Sequence, residues 1–132
     1  FSRSDLIIGT HIITASVSDS GSLAGSASVT ITVVDPNAAP PAAPSNLTGV
    51  RLSRGSGRIN WVDNSNNETA FEIQRERRSG SNWTGTTNLG PVAANTTSYT
   101  DSPGRNRWRY RIRAVNADGA SAWTGWLELD LR

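Results

Sequence analysis

Alternation of apolar and polar residues, interrupted at short intervals by turn-forming residues, is the feature that most restricts the fold of this chain. From residue 9 to 19, one face of an extended chain would carry His11, Ile13, Ala15 and Val17. From residue 26 to 34, the corresponding face would carry Ala27, Val29, Ile31 and Val33. A period of two is typical of β-strands, whereas a helical pattern repeats about every 3.6 residues. Similar short runs continue to the end of the chain, and we therefore predict an all-β protein.

Three segments of different composition divide the chain. Residues 36–43 are rich in proline and alanine, which predicts an extended and fairly stiff linker. Residues 44–132 contain about seven short predicted strands separated by turns, the pattern of a complete β-sandwich. Residues 1–35 contain two strands, or three if a short run at 6–8 is counted, so we expect the end of a sandwich whose earlier strands lie outside this sequence. Because such a piece is at best marginally stable alone, a neighbouring copy, the second domain or the rest of a longer protein is expected to complete it.

Two stretches resemble known families. The segments INWVDNSNNETAFEIQRE, TSYTD and WRYRIRAVNADGASAW resemble a fibronectin type III domain of the bacterial secreted or surface kind, over residues 44–132. Trp61 matches the core tryptophan of that family, and Tyr110, Ile112 and Ala114 match its Tyr-x-Val-x-Ala strand. The stretch LIIGTHIITASVSDSGSLAGSASVTITV is similar to the C-terminal strands of Ig-like or PKD-like repeats. The resemblance implies a seven-strand sandwich preceded by a partial Ig-like sandwich of two to three strands.

A row of arginines is the first candidate site. If Tyr110, Ile112 and Ala114 face the core, alternation places four cations on the outer face of the same strand, namely Arg107, Arg109, Arg111 and Arg113. The family topology would set this row between Glu72, Gln74 and Glu76 on one side and Trp126 on the other. The adjoining sequence SAWTGW is similar to the tryptophan–arginine ladder of cytokine-receptor fibronectin domains, with Thr124 and Leu127 where that motif has serine. One interpretation is a ladder that stabilises the sheet. The other is a flat polysaccharide-binding face, with Trp126 or Trp83 stacking on sugar rings.

Three hypotheses of function follow. The first is a non-catalytic extracellular spacer or adhesion module of a larger bacterial secreted or surface protein, partnered by the other domains of its parent. The second is a self-assembling fibre or oligomer subunit, in which another copy completes the partial sandwich by strand exchange. Its assembly face would be Ala27, Val29, Ile31 and Val33. The third is a carbohydrate-binding accessory module of a secreted hydrolase.

Composition and single residues argue against other classes. The formal charge of +2 does not suggest a nucleic-acid binder, and no apolar run is long enough to span a membrane. Without cysteine, thiolate chemistry is excluded, and the only histidine, His11, is expected to be a packed or edge residue. We predict no enzyme activity in this chain and no cofactor. Calcium is the weaker alternative, either in the loop 63–68 or at the inter-domain joint, where Asp19, Asp35 and Asn37 would supply oxygens.

Overall fold

The computed structural model describes residues 7–33 and 38–132, and these contain ten strands and no helix. The chain divides into two compact units, Phe1–Ala38 and Ala39–Arg132. The strands are β1 Gly9–Ser18, β2 Ala24–Val33, β3 Ser45–Ser53, β4 Ser56–Val62, β5 Ala70–Ser79, β6 Asn82–Ala93, β7 Ser98–Asp101, β8 Arg107–Asn116, β9 Gly119–Ala120 and β10 Leu127–Asp130. The described part of the chain is therefore all-β, as the alternation predicted.

The first unit is an antiparallel hairpin of β1 and β2. Its register is unbroken from the pair Gly9↔Val33 to the pair Ser18↔Ala24. The carboxylate of Asp19 closes the turn by accepting hydrogen bonds from the N–H groups of Gly21 and Leu23, at 2.8 and 2.9 Å. Ser22, at φ 68°, adopts the left-handed conformation there, although we expected Gly21 to provide it. The suggested third strand at 6–8 is absent at Ile7 and Ile8, and Leu6 lies outside the described residues.

The second unit is a sandwich of two antiparallel sheets. One has the order β3-β4-β7, and the other has the order β10-β8-β5-β6 with β9 paired to β8. Alternate residues of the central strands point between the sheets and are almost fully buried. They form a core of Ile59, Trp61, Phe71, Ile73, Trp108, Tyr110, Ile112, Ala114 and Leu131. Trp61 meets Phe71 edge to face at 5.5 Å, so the tryptophan singled out from the sequence is a core residue.

Two strand boundaries differ from the prediction. We expected two short strands on either side of Gly90 and Pro91, but β6 runs through them. A register shift between the pairs Glu72↔Pro91 and Gln74↔Asn88 absorbs the irregularity, with Gly90 at φ 73°. We also expected one closing strand from 122 to 131, but only Leu127–Asp130 pairs regularly with β8.

Hydroxyl groups replace part of that missing ladder. The side-chain oxygens of Ser121 and Thr124 accept the N–H groups of Ala114 and Ile112, at 3.0 and 3.1 Å. The N–H groups of Ser121 and Thr124 donate in return to the carbonyls of the same two residues, both at 2.9 Å. Residues 121–126 therefore stay alongside β8 without forming a regular strand, which decides where their tryptophans lie.

A polar clasp links the two sheets inside the sandwich. Arg75 Nη1 of β5 lies 2.6 Å from Asp101 Oδ2 of β7, and the Tyr110 hydroxyl donates to the same oxygen at 3.1 Å. The Arg75 and Asp101 side chains are only 17% and 14% exposed. The guanidinium carbon of Arg75 also stands 4.7 Å from the Trp108 ring centroid. Burial, followed by the negative charge of Asp101, raises the pKa of Tyr110.

Candidate functional site

The outer face of the β5–β8 pair places each of three arginines opposite an acceptor. The register pairs Glu72 with Arg113, Gln74 with Arg111 and Glu76 with Arg109. Glu72 Oε2 lies 2.7 Å from both Nε and Nη2 of Arg113. Gln74 Oε1 accepts Nε and Nη2 of Arg111 at 2.9 and 2.6 Å, and Glu76 Oε2 accepts the same two nitrogens of Arg109 at 2.8 and 2.5 Å. Each acceptor therefore fixes the plane of one guanidinium group.

Two indoles from residues 121–126 lie against these guanidinium groups. The Trp126 centroid is 4.3 Å from the Arg109 guanidinium carbon and 4.6 Å from that of Arg111. The Trp123 centroid is 4.7 Å from the Arg111 carbon and 4.5 Å from the Arg113 carbon. We call the whole series the Arg/Trp stack; in order it comprises Arg78, Trp83, Arg109, Trp126, Arg111, Trp123 and Arg113.

Trp83 and Arg78 form the end of the stack that lies at β6, the edge strand of this sheet. Trp83 lies in β6 opposite Arg78, and its centroid is 5.2 Å from the Arg78 carbon and 5.0 Å from the Arg109 carbon. From the sequence we expected a tryptophan exposed in a polar stretch or packed across the sandwich edge. The structure instead makes it part of the same surface as Trp126.

Each central ring of the stack is close to two guanidinium groups. Trp126 lies near those of Arg109 and Arg111, and Trp123 lies near those of Arg111 and Arg113. Alternate residues of a strand are about 7 Å apart on one face, so two neighbouring guanidinium groups are within reach of a single indole. A sugar ring that stacked on either indole would compete with guanidinium groups held by acceptors on β5.

Two of the acceptors, Glu76 and Gln74, are themselves fixed by further hydrogen bonds. The Thr86 hydroxyl donates to Glu76 Oε1 at 2.7 Å, and this bond, together with Arg109, lowers the pKa of the Glu76 carboxyl. Gln74 also donates through Nε2 to Asn88 Oδ1 at 3.0 Å, which orients its amide oxygen toward Arg111. The chemistry of this face is therefore that of saturated ion pairs and cation–π contacts.

Arg107 is separate from the stack, although the sequence placed it in the same row. Its Nη2 lies 2.8 Å from Glu128 Oε2, and the two side chains are 44% and 50% exposed. Sequence reasoning also missed Trp123 and Arg78 as members. The signal for Trp123 was its spacing of three residues from Trp126 in SAWTGW, whereas nothing local indicated Arg78.

Solved structures with the same architecture share little sequence with this chain. A Fn3-like protein from Clostridium thermocellum has a TM-score of 0.55 at 20% identity, covering 70% of this chain and 94% of that one. The fn3 domain of the human collagen alpha-1(XX) chain has a TM-score of 0.59 at 16% identity, covering 69% and 85%. The FN5 domain of Drosophila Lar has a TM-score of 0.54 at 11% identity, covering 68% and 95%.

The second unit has a fibronectin type III fold. The two-sheet order and the neighbouring structures agree on this, and they confirm the fold expected from the resemblance. No family model and no curated protein matches the sequence. The Ig-like assignment of the first unit and the division at residues 35 and 43 stay predictions.

The hairpin that precedes the fibronectin type III unit carries the predicted assembly face. Ala27, Val29 and Ile31 stand opposite Ala15, Ile13 and His11, and Val33 pairs with Gly9. Val17 and Val29 are 72% and 54% exposed. The twenty strand positions of this hairpin contain no charged residue. His11 Nε2 lies 2.8 Å from the carbonyl oxygen of Ile7 and has no carboxylate partner among the described residues.

The oxygens considered for calcium are engaged in local hydrogen bonds. Asp63 Oδ1 accepts the N–H and the hydroxyl of Ser65, both at 3.0 Å, and the same hydroxyl is 2.6 Å from Glu68 Oε2. The Ser65 hydroxyl is the main cause that lowers the pKa of Glu68. The Asp19 carboxylate accepts the N–H groups of its own turn, and Asp35 and Asn37 lie outside the described residues. Within residues 7–33 and 38–132, no three acidic or histidine side chains are grouped as a metal site, and no helix is long and apolar enough to cross a membrane.

Proposed function

We propose that this chain is a non-catalytic structural module of a larger extracellular protein, where it spaces, orients or attaches other domains. The observation that carries the proposal is the Arg/Trp stack, because the tryptophans and arginines of this surface contact one another and so stabilise the sheet. Trp126 and Trp123 each contact two guanidinium groups, and each stacked arginine of β8 is held by an acceptor on β5.

The setting of the module rests on resemblance. The sequence is similar to fibronectin type III and Ig-like units of bacterial secreted and surface proteins, and residues 36–43 have the composition of a stiff linker rich in proline and alanine. The partners would then be the neighbouring domains of the parent protein, and the fold itself is compatible with many roles. An adhesion role would use a surface other than the two central indoles.

A titration with polysaccharides tests the proposal against the sugar-binding alternative. Tryptophan fluorescence of the whole chain is followed while neutral and acidic polysaccharides are added, for the wild type and for Trp126→Ala and Trp83→Ala. We expect no saturable change that depends on either tryptophan, because each ring is already in contact with two guanidinium groups. A saturable quench that disappears in Trp126→Ala, with the fold retained by circular dichroism, would replace the structural proposal with a carbohydrate-binding one.

The uncharged hairpin favours a second function, assembly with other copies of the chain. Edge strands of natural sheets usually carry charges, proline or bulges that prevent pairing with other chains. β1 and β2 are ten residues long each, contain neither charge nor proline, and have an unbroken register. Among the described residues each strand pairs only with the other, so each has one free edge. Strand addition at these edges would extend the sheet, and the apolar face around Val29 would pack against the sheet of another copy.

Light scattering over a range of concentrations tests assembly. The wild type is compared with Val29→Lys, which charges the apolar face, and with the matched variant Thr30→Lys, which charges the opposite face of the same strand. Assembly through the apolar face predicts a mass that rises with concentration in the wild type and in Thr30→Lys but not in Val29→Lys. A monomeric wild type at every concentration would eliminate this candidate and leave the structural module.

A further inference from the structure

The segment immediately before β3 is held on the second unit, although it forms no strand. Residues 39–44 read Ala-Pro-Pro-Ala-Ala-Pro and have no regular backbone pairing. Pro41 and Pro44 are nevertheless buried. The second compact unit also begins at Ala39, before this segment and not after it. We call residues 39–43 the linker end, because they are the last five residues of the linker predicted from the sequence.

Three asparagine side chains donate hydrogen bonds to carbonyl groups of the linker end. Asn67 and Asn116 both donate through Nδ2 to the carbonyl oxygen of Ala39, at 3.1 and 2.9 Å. The Asn116 amide also donates to the carbonyl of Asn67, at 3.2 Å, which ties the two asparagines together. Asn64 donates through Nδ2 to the carbonyl oxygen of Ala43, at 2.8 Å. Both ends of the segment are therefore bonded to the domain, and the Ala39 carbonyl accepts two bonds, as its two lone pairs allow.

The loop after β4, which carries two of these asparagines, is held in place by bonds that do not involve the linker end. Glu68 is buried, and its carboxylate accepts the Ser65 hydroxyl at 2.6 Å and the N–H of Asn95 at 3.0 Å. The N–H of Thr69 donates to the carbonyl of Val115 at 2.8 Å, which joins this loop to the end of β8, beside the third asparagine. The amide donors are thus positioned by the domain itself.

The turn after β8 fits closely against the linker end as well. The Asn116 Oδ1 accepts the N–H groups of Asp118 and Gly119, at 2.9 and 3.1 Å. Its oxygen therefore closes the turn while its amide nitrogen bonds to Ala39. Gly119 has φ 146°, and a side chain there would begin 3.2 Å from Cγ of Pro40. Any residue other than glycine would strain the backbone at this position and would also press on the Pro40 ring.

Proline reduces the conformational freedom that is lost when the linker end is held. The linker end contains Pro40 and Pro41, and Pro44 follows it directly. The proline ring fixes φ at about −65° and leaves no N–H group in need of a partner. An unbound chain of this composition has fewer conformations to lose on ordering than an ordinary loop. A small number of hydrogen bonds can therefore hold the segment in one place.

We propose that the loop after β4 and the turn after β8 form a docking surface for the linker end, and that the three asparagine amides fix the point at which a preceding domain joins the second unit. The surface would recognise an extended proline–alanine chain through its backbone carbonyls. This inference rests on the proposed structural function, because it names the contacts by which the module would orient the domain before it. The loop 63–68, considered for calcium from the sequence, would then hold a peptide segment instead.

Nuclear magnetic resonance relaxation of the backbone amides in the whole chain tests the proposal. The test variant is Asn67→Ala/Asn116→Asp, which removes both donors to the Ala39 carbonyl. The new carboxylate at position 116 can still accept the N–H groups of its own turn, so the turn is kept. The matched control is Asn66→Asp, which also adds one negative charge, in an exposed position of the loop after β4, and leaves all three amide donors in place.

In the wild type and in the control, we expect the Ala39 N–H to have an order parameter near that of the β8 amides, about 0.85. In the test variant it should fall below about 0.6, while the values in β8 stay unchanged. The proposal would be overturned by an Ala39 that stays rigid in the test variant, that is already mobile in the wild type, or that loses as much order in the control.

A test variant in which β8 also loosens is replaced by Asn64→Ala, which removes only the amide bound to the Ala43 carbonyl. The loss of order is then expected at Ala42, and an unchanged Ala42 would overturn the proposal. The polysaccharide titration that tests the structural function does not depend on these amides. Failure of the docking surface and failure of the structural function are therefore distinguishable.

Discussion

Replacing the central indole of the Arg/Trp stack is the most direct test of its role. Trp126→Leu keeps an apolar side chain but removes the ring that lies 4.3 Å from the Arg109 carbon and 4.6 Å from the Arg111 carbon. Each cation–π contact contributes about 0.5–1 kcal/mol at an exposed site. The loss of two contacts should therefore lower the free energy of unfolding by about 1–2 kcal/mol. In a domain of this size that corresponds to a fall in melting temperature of roughly 5–15 °C.

Urea denaturation and a pair of double-mutant cycles measure this cost and its origin. The first cycle combines Trp126→Leu with Arg111→Gln, which should show a coupling of about 0.5–1 kcal/mol. The second combines Trp126→Leu with Arg107→Gln. Arg107 is on the same face of the same strand but contacts Glu128 instead of an indole, so its coupling to Trp126 should be close to zero. The control therefore separates a specific stacking contact from a general effect of charge.

Two results would refute the reasoning. One is a Trp126→Leu variant whose unfolding free energy stays within about 0.3 kcal/mol of the wild type, which is the usual scatter of independent sites. The other is equal coupling of Trp126 to Arg111 and to Arg107. The first result would mean that the indole does not stabilise the sheet, and the second that its effect is a general one of charge and not of stacking.

Three further predictions concern the clasp and the pH dependence. Asp101→Asn leaves the largely buried Arg75 without its carboxylate and should lower the free energy of unfolding, measured by urea denaturation, by about 3 kcal/mol. Asp130→Asn removes the carboxylate of an exposed pair and should leave the urea midpoint nearly unchanged. Equal effects of the two variants would contradict this prediction. The pKa of Glu76 is lowered from 4.5, so its charged form stabilises the fold above pH 4.5 and this stability is lost as the pH falls. Glu76→Gln should therefore reduce the decrease in melting temperature at acid pH. A decrease equal to that of the wild type would count against this prediction. Because its pKa is raised from 10.0, Tyr110 stays protonated in the fold and stability should fall above that pH; Tyr110→Phe should reduce the loss, and an identical alkaline profile would disprove the assignment.

The sandwich was predictable because its core follows from a local rule. Period-two alternation placed Tyr110, Ile112 and Ala114 on one face of a strand, and the structure buries them. The same alternation put Arg109 and its neighbours on the other face, where Glu76 and Gln74 meet them in register. Pairing of this kind is determined by strand order and by the hydrophobic pattern, which both leave a trace in the sequence.

Strand boundaries were less predictable where side chains make hydrogen bonds in place of the backbone, or where the pairing is irregular. Gly90 and Pro91 indicated a break between strands, yet a bulge carries β6 through them. Thr124 looked like an ordinary strand residue, but its hydroxyl and that of Ser121 take over bonds that backbone carbonyls would have made. Local propensity does not distinguish these outcomes, because each depends on what the neighbouring strand presents.

By itself, the sequence determined the all-β class, the core of the second unit and the arginine row with its acceptors. Only the tertiary structure decided that Trp83 and Arg78 extend the stack formed by Trp126 and Trp123 with the arginines of β8. Alternation is a property of neighbouring residues and can be recognised within one strand. The stack instead joins side chains from segments far apart in sequence, and their spacing is fixed by the register of several strands at once.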